Sequence, residues 1–124
     1  RWMIVAGTNG AMRNVLKECY TFANQRKTFG KKLIEQPVIR NKLARMTSQL
    51  EAVECWTESI TYQMGKLTHA QQAVALAGPI ALLKFLCTRV ANLFADEGAQ
   101  IFGGRGITRN ACFPTPPSFD RRNE

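Results

Sequence analysis

The sequence predicts an all-α fold, an antiparallel up-and-down bundle of the four-helix type with an irregular C-terminal tail. Three observations carry that expectation: an apolar repeat at spacings of four and three over residues 37 to 67, a broad apolar face over residues 2 to 28, and a third helical pattern from Ile80 to Phe102 that stops at Gly103-Gly104. Stripes with a spacing near 3.5 residues suit helices that share one seam. Neither a strand-rich stretch nor an internal repeat competes with this reading.

Residues 2 to 28 place Ile4, Val5, Met12, Val15, Leu16, Cys19, Phe22 and Ala23 on one face, with Arg13, Lys17, Glu18 and Lys27 charged. Gly7 and Gly10 interrupt this helix, each costing about 1 kcal/mol relative to alanine, and close approach by another helix, or else by a ligand, is their expected reason. Over residues 37 to 67 the stripe is Ile39, Leu43, Met46, Leu50, Val53, Ile60, Met64 and Leu67, interrupted by Thr57. This makes a helix of about eight turns. Pro37 suits its first turn, where an amide hydrogen would be unpaired, and Gly65 weakens its last. Residues 68 to 78 are a weaker stretch. Gly78-Pro79 then punctuates the chain before Ile80, Leu82, Leu83, Phe85, Leu86, Val90, Leu93 and Phe94 resume a helical pattern. Gly103 can take the left-handed conformation that closes a helix. After Gly106 come Pro114, Pro116, Pro117, Ser118 and Asp120-Arg121-Arg122, so the chain divides into a bundle over residues 1 to 109 and a tail over 110 to 124.

A chain of 124 residues suits one core that buries roughly two thirds of the unfolded surface. Apolar residues make up 45% and charged residues 21%, ordinary globular usage, and no 18 apolar residues run uninterrupted, so neither disorder nor a membrane span is expected. The apolar residues after Arg1 are too few for a signal peptide, and a chain opening on Arg1 reads as a piece of a longer protein. Cys19, Cys55, Cys87 and Cys112 stand apart, and His69 is the only histidine, so no metal site or redox pair has suitable spacing. Buried or idle thiols in a reducing interior are expected. His69 reads as an exposed polar residue, and Trp2 and Trp56 as packing residues. The net charge of +8 is carried partly by Arg26-Lys27, Lys31-Lys32 and the trio Arg40, Lys42 and Arg45. A solvated face accounts for such charges, and so does attraction for a phosphate-bearing cofactor. Nucleic acid is disfavoured because stacking aromatics do not interleave with the cations.

Two segments carry more information than the rest: Arg26-Lys27-Thr28-Phe29-Gly30-Lys31 with Gln36 following, and Gln100-Ile101-Phe102-Gly103-Gly104-Arg105-Gly106. The first resembles the R-x-x-F-G-K segment of the acyl-CoA dehydrogenase family and the second its Q-x-x-G-G-x-G. Together with Leu43-Ala44-x-Met46 between them, and Arg1 placed 25 residues before Arg26, the resemblance covers residues 1 to 109. It implies the C-terminal helical domain of an FAD-dependent enzyme that oxidises an acyl-CoA thioester to the trans-2-enoyl-CoA. Arg26, Thr28, Phe29 and Gln36 would then touch the ADP half of a flavin held mainly by a neighbouring subunit, and Gln100, Gly103 and Gly104 would meet the same region. An arginine fork suits a pyrophosphate, and glycines at a helix end let backbone approach a cofactor. Taken alone, Arg26 and Lys27 suit a helix C-terminus, Phe29 suits a core and Gly103-Gly104 suits a helix stop.

The resemblance also implies a homo-oligomer, dimer or tetramer, an acyl-CoA substrate that Arg1 approaches, and an electron-transfer flavoprotein as partner in a dehydrogenase. It implies a mitochondrial matrix or bacterial cytoplasmic setting. Family members use a glutamate to remove the α-proton while a hydride leaves the β-carbon. That glutamate lies in a Glu-Gly-Thr context beyond the G-G-x-G, or just before the arginine matching Arg1. Neither context stands in these residues, so no catalytic residue is assigned within the chain, and the chain alone is expected to be inactive. The rival readings are a non-catalytic helical interaction module derived from the family, an acyl-CoA oxidase-type flavoprotein and a basic nucleic-acid binder.

Overall fold

The computed structural model describes residues 1–107; the expected tail over 110 to 124, with Cys112, lies outside them. Four helices follow one another: α1 (Trp2–Gln25), α2 (Pro37–Lys66), α3 (His69–Ala75) and α4 (Ala77–Phe102). The three long helices pack against one another, and α3 rests on α4.

Side-chain pairs set their directions. Trp2 Nε1 donates to Thr61 Oγ1 at 3.0 Å, Arg13 Nε to Glu54 at 3.0 Å, and Tyr20 meets Thr47 at 3.3 Å, so α1 and α2 are antiparallel. The Cys87 thiol faces the Val5 carbonyl near the start of α1, and Phe102 stacks on Phe22 near its end, so α1 and α4 run in the same direction. Beside Arg13, the Glu54 hydrogen bond and charge push the guanidinium above its ordinary pKa.

The predicted stripes form one core, with Val5, Met12, Cys19, Leu43, Met46, Val53, Ile60, Leu83, Cys87 and Phe94 buried. Thr57 breaks the α2 stripe yet is buried: its hydroxyl donates to the Val53 carbonyl at 2.7 Å and accepts from Asn9 Nδ2 at 3.0 Å. The Cys87 thiol in turn faces Asn9 Oδ1 at 3.5 Å. One polar group from each long helix therefore meets inside an apolar core, each satisfied by the others. Burial pushes the Cys87 thiol above its ordinary pKa, with a Thr8 hydrogen bond opposing. Because the thiolate is the nucleophile, iodoacetamide at neutral pH should label exposed Cys55 and spare buried Cys19 and Cys87. Peptide mapping checks this; rapid labelling of Cys87 in the folded chain contradicts the packing.

Several expectations need correction. The first helix stops at Gln25 instead of residue 28, because Lys27–Thr28 pairs antiparallel with Lys31–Lys32 in a small hairpin. Phe29 and Gly30 turn it with φ of 53° and 79°, the two positive values of a type I′ turn. Phe29 is 99% exposed, so it is no core residue. Gly7 and Gly10 do not mark close approach within this bundle: a Cβ at either would meet nothing within 4 Å. Ile4, Leu82 and Phe85, read as face residues, are exposed. Gly78-Pro79 does not separate elements but lies in the first turn of α4, where proline is tolerated. The weak stretch holds α3, started by a capping box in which Thr68 and Gln71 exchange hydrogen bonds. By length and composition α4 is apolar enough to cross a membrane, yet its Leu83, Cys87, Val90 and Phe94 belong to the shared core.

Candidate functional site

Since α1 and α4 point the same way, their C-terminal ends emerge together, and this brings the two sequence motifs into one place. Arg26 leaves α1 in an extended conformation (φ −72°, ψ 129°), its amide still bonded to the Phe22 carbonyl. Its own carbonyl accepts from Leu33 N at 2.8 Å, closing the hairpin against the bundle. On the other side, Gly103 ends α4 at φ 57°, and a 3-10 turn over Gly103–Ile107 folds back along the helix. Between them is an open depression of about 430 Å³ lined by Arg26, Thr28, Leu33, Gly103, Gly104 and Arg105, with Phe22, Ile101 and Phe102 also contributing to its lining.

The predicted site residues divide. Arg26, Thr28, Gly103 and Gly104 share this depression. Gln36 is half-buried at the N-cap of α2, Gln100 is exposed on α4, and Phe29 stands at the hairpin tip; none of the three lines it. Arg1 is at the opposite end of α1, about 36 Å away along 24 residues. It borders a separate depression of about 320 Å³ with Trp2, His69 and Gln72. Arg105 and Phe22 were not singled out by sequence reasoning as site residues. Arg105 falls at the unspecified position of the glycine motif, which leaves its direction open in the sequence, and Phe22 is masked by its place in a core stripe.

These residues fit a phosphate-bearing cofactor. A Cβ at Gly104 would meet nothing within 4 Å, so ligand or partner backbone has room there, and two guanidiniums border the space. Among the described residues, no three His, Cys, Asp or Glu side chains gather as metal ligands.

The family model described as Acyl-CoA dehydrogenase, C-terminal domain, matches residues 1–115. The chain belongs to the acyl-CoA dehydrogenase family. Among its relatives, Acyl-CoA dehydrogenase apdG of Emericella nidulans is 31% identical over 109 residues, which are 88% of this chain and 25% of that protein. The (2S)-methylsuccinyl-CoA dehydrogenase of Cereibacter sphaeroides is 36% identical over 99 residues, 79% of this chain and 17% of its own. A crystal structure of a probable acyl-CoA dehydrogenase from Mycobacterium abscessus superimposes with a TM-score of 0.81 at 23% identity, covering 90% of this chain and 28% of that one. The fold is thus that of an acyl-CoA dehydrogenase C-terminal helical domain. The chain spans 17–28% of the length of these proteins.

Proposed function

We propose that this chain is the cofactor-gripping part of an FAD-dependent acyl-CoA dehydrogenase that converts an acyl-CoA thioester to the trans-2-enoyl-CoA. The observation that supports this most strongly is the meeting of Arg26 and Thr28 with Gly103 and Gly104 in one depression, although the two pairs are far apart in sequence. In this reading Arg26 forks onto a phosphate of the ADP half, Thr28 adds a hydroxyl, and the bare backbone at Gly103-Gly104 lets the cofactor come close. Phe29, Gln36 and Gln100 reach the same ligand from the hairpin tip, the start of α2 and the last turns of α4. When bound, FAD supplies the hydride acceptor. In this reading the α-proton goes to a glutamate outside the described residues, since neither sequence context in which the family carries that base stands among them.

The outer surfaces of α1 and α4 favour assembly with other parts of an enzyme. Met3, Ile4, Leu82 and Phe85 are each more than half exposed, an unusual display of large apolar side chains for a freestanding surface. A homo-oligomer and a flavin shared across its interface account for both this exposure and the edge position of the site. An acyl-CoA bound near Arg1 and electron transfer to an electron-transfer flavoprotein complete the reading, with oxygen as acceptor in an oxidase.

FAD titration monitored by quenching of flavin fluorescence tests the cofactor role. Arg26→Ala is expected to weaken binding by about tenfold, the loss of one charge-assisted fork. Equal binding by the variant and the wild-type chain defeats the assignment of Arg26.

A further inference from the structure

A second arginine faces the same region, and its placement leads beyond the role proposed for Arg26, on which it rests. Phe22, Arg26 and Arg105 all line the depression between the two motifs, and all three also line a neighbouring one of about 360 Å³, to which Gln25 and Lys27 contribute. Among the described residues lining the two, none is acidic. Arg105 lies over the Phe22 ring, its guanidinium carbon 5.9 Å from the ring centre, and Phe22 is itself stacked on Phe102 at 4.6 Å and 21°. The cation therefore rests on an aromatic platform, which limits the freedom it would lose on binding.

Two glycines set the path of the turn that carries Arg105. Gly103 adopts φ 57°, a region that disfavours any residue with a Cβ. At Gly106 an added Cβ would lie 3.1 Å from the Ala99 carbonyl oxygen and 3.3 Å from its Cα, backbone atoms inside α4 that cannot easily give way. The turn thus folds closely onto the end of α4 and holds Arg105 on the side where Arg26 emerges from α1.

We infer that Arg105 is a second anion-binding residue acting with Arg26, and that the pair selects a nucleoside diphosphate group over a monophosphate. Each planar fork serves one phosphate best. Two linked phosphates offer each fork its own pair of terminal oxygens, whereas a single phosphate has three terminal oxygens that two forks must share. The glycine motif then has a role besides ending a helix: it aims the cation at position 105.

ADP-ribose and AMP, each close to two negative charges at about pH 7.5, separate phosphate spacing from net charge. Both are titrated into the 124-residue chain and followed by NMR shifts of the arginine side chains. The wild type is expected to bind ADP-ribose about tenfold tighter than AMP, and Arg105→Gln to bring that ratio to about one with AMP affinity little changed. Arg105→Lys, which keeps the charge without the fork, should fall between. The Arg105 side chain is exposed, so these substitutions leave the core intact, and a thermal melt of each variant accompanies the titration. An unchanged ratio in Arg105→Gln overturns the inference. If Arg26→Gln nevertheless weakens both ligands, the reading of Arg26 stands without it. If ADP-ribose shifts neither arginine in the wild type, both fall.

Discussion

Phe94→Ala is expected to lower the unfolding free energy by about 3–5 kcal/mol, the usual cost of emptying a buried phenyl-sized space. Phe94 is 1% exposed and is the largest fully buried side chain among the described residues. It belongs to α4, the helix that touches each of the other three, so the void would open where the walls are least able to collapse. With typical domain stabilities of about 5–15 kcal/mol, the variant would stand near the limit of folding. Phe85→Ala removes the same ring from the same helix at a site 62% exposed, where the Arg89 guanidinium lies over the ring at 5.5 Å. That control should cost less than about 1 kcal/mol. Urea unfolding of the pair decides the matter: a Phe94→Ala midpoint close to that of Phe85→Ala, at equal slope, would contradict the assigned core.

The contrast between those two phenylalanines also marks what the sequence could reveal. Periodicity located all three long helices because burial of a stripe is what makes such helices stable, and Leu43, Met46, Leu50, Val53 and Ile60 are buried as their spacing requires. In α4 the pattern is apolar nearly all round, so spacing alone could not tell Leu83, which is buried, from Leu82, which is 61% exposed. Local signals at two element ends are weaker than periodicity. Phe29-Gly30 is a two-residue hairpin turn disguised by a bulky first residue, and Thr68 with Gln71 is a capping box preceding a helix of only seven residues.

Position in space was the less legible part of the candidate site. The motifs identified Arg26, Thr28, Gly103 and Gly104, and the parallel course of α1 and α4 explains why they meet. Nothing in the spacing required Gln36 and Gln100 to fall outside the depression, whereas a helix running from residue 2 already carries Arg1 to its opposite end. Arg105 could be recognised only once the direction of the turn was known. A charged side chain after two glycines has no preferred face until φ at Gly103 and the close packing of Gly106 on Ala99 impose one.

The same limit applies to ion pairs inside the bundle, and one of them carries a large expected effect. Lys42 on α2 is bonded to Glu97 on α4, with the two side chains 26% and 12% exposed. From sequence Lys42 suits a solvated basic face or a phosphate-bearing cofactor, and not an ion pair, because a partner 55 residues away leaves no mark on local spacing. Lys42→Met would strand the less exposed carboxylate against apolar neighbours, and the expected loss is about 3 kcal/mol, the low end for breaking a buried pair because Lys42 keeps some contact with water. The double variant Lys42→Met/Glu97→Leu should return to within about 1 kcal/mol of the wild type, since apolar packing can replace a pair whose attraction is largely spent on desolvation. A double-mutant cycle by urea unfolding measures the coupling. A Lys42→Met loss of less than about 0.5 kcal/mol would mean that water screens the pair as it does at an open surface. In that case α2 and α4 are held together by their apolar seam alone.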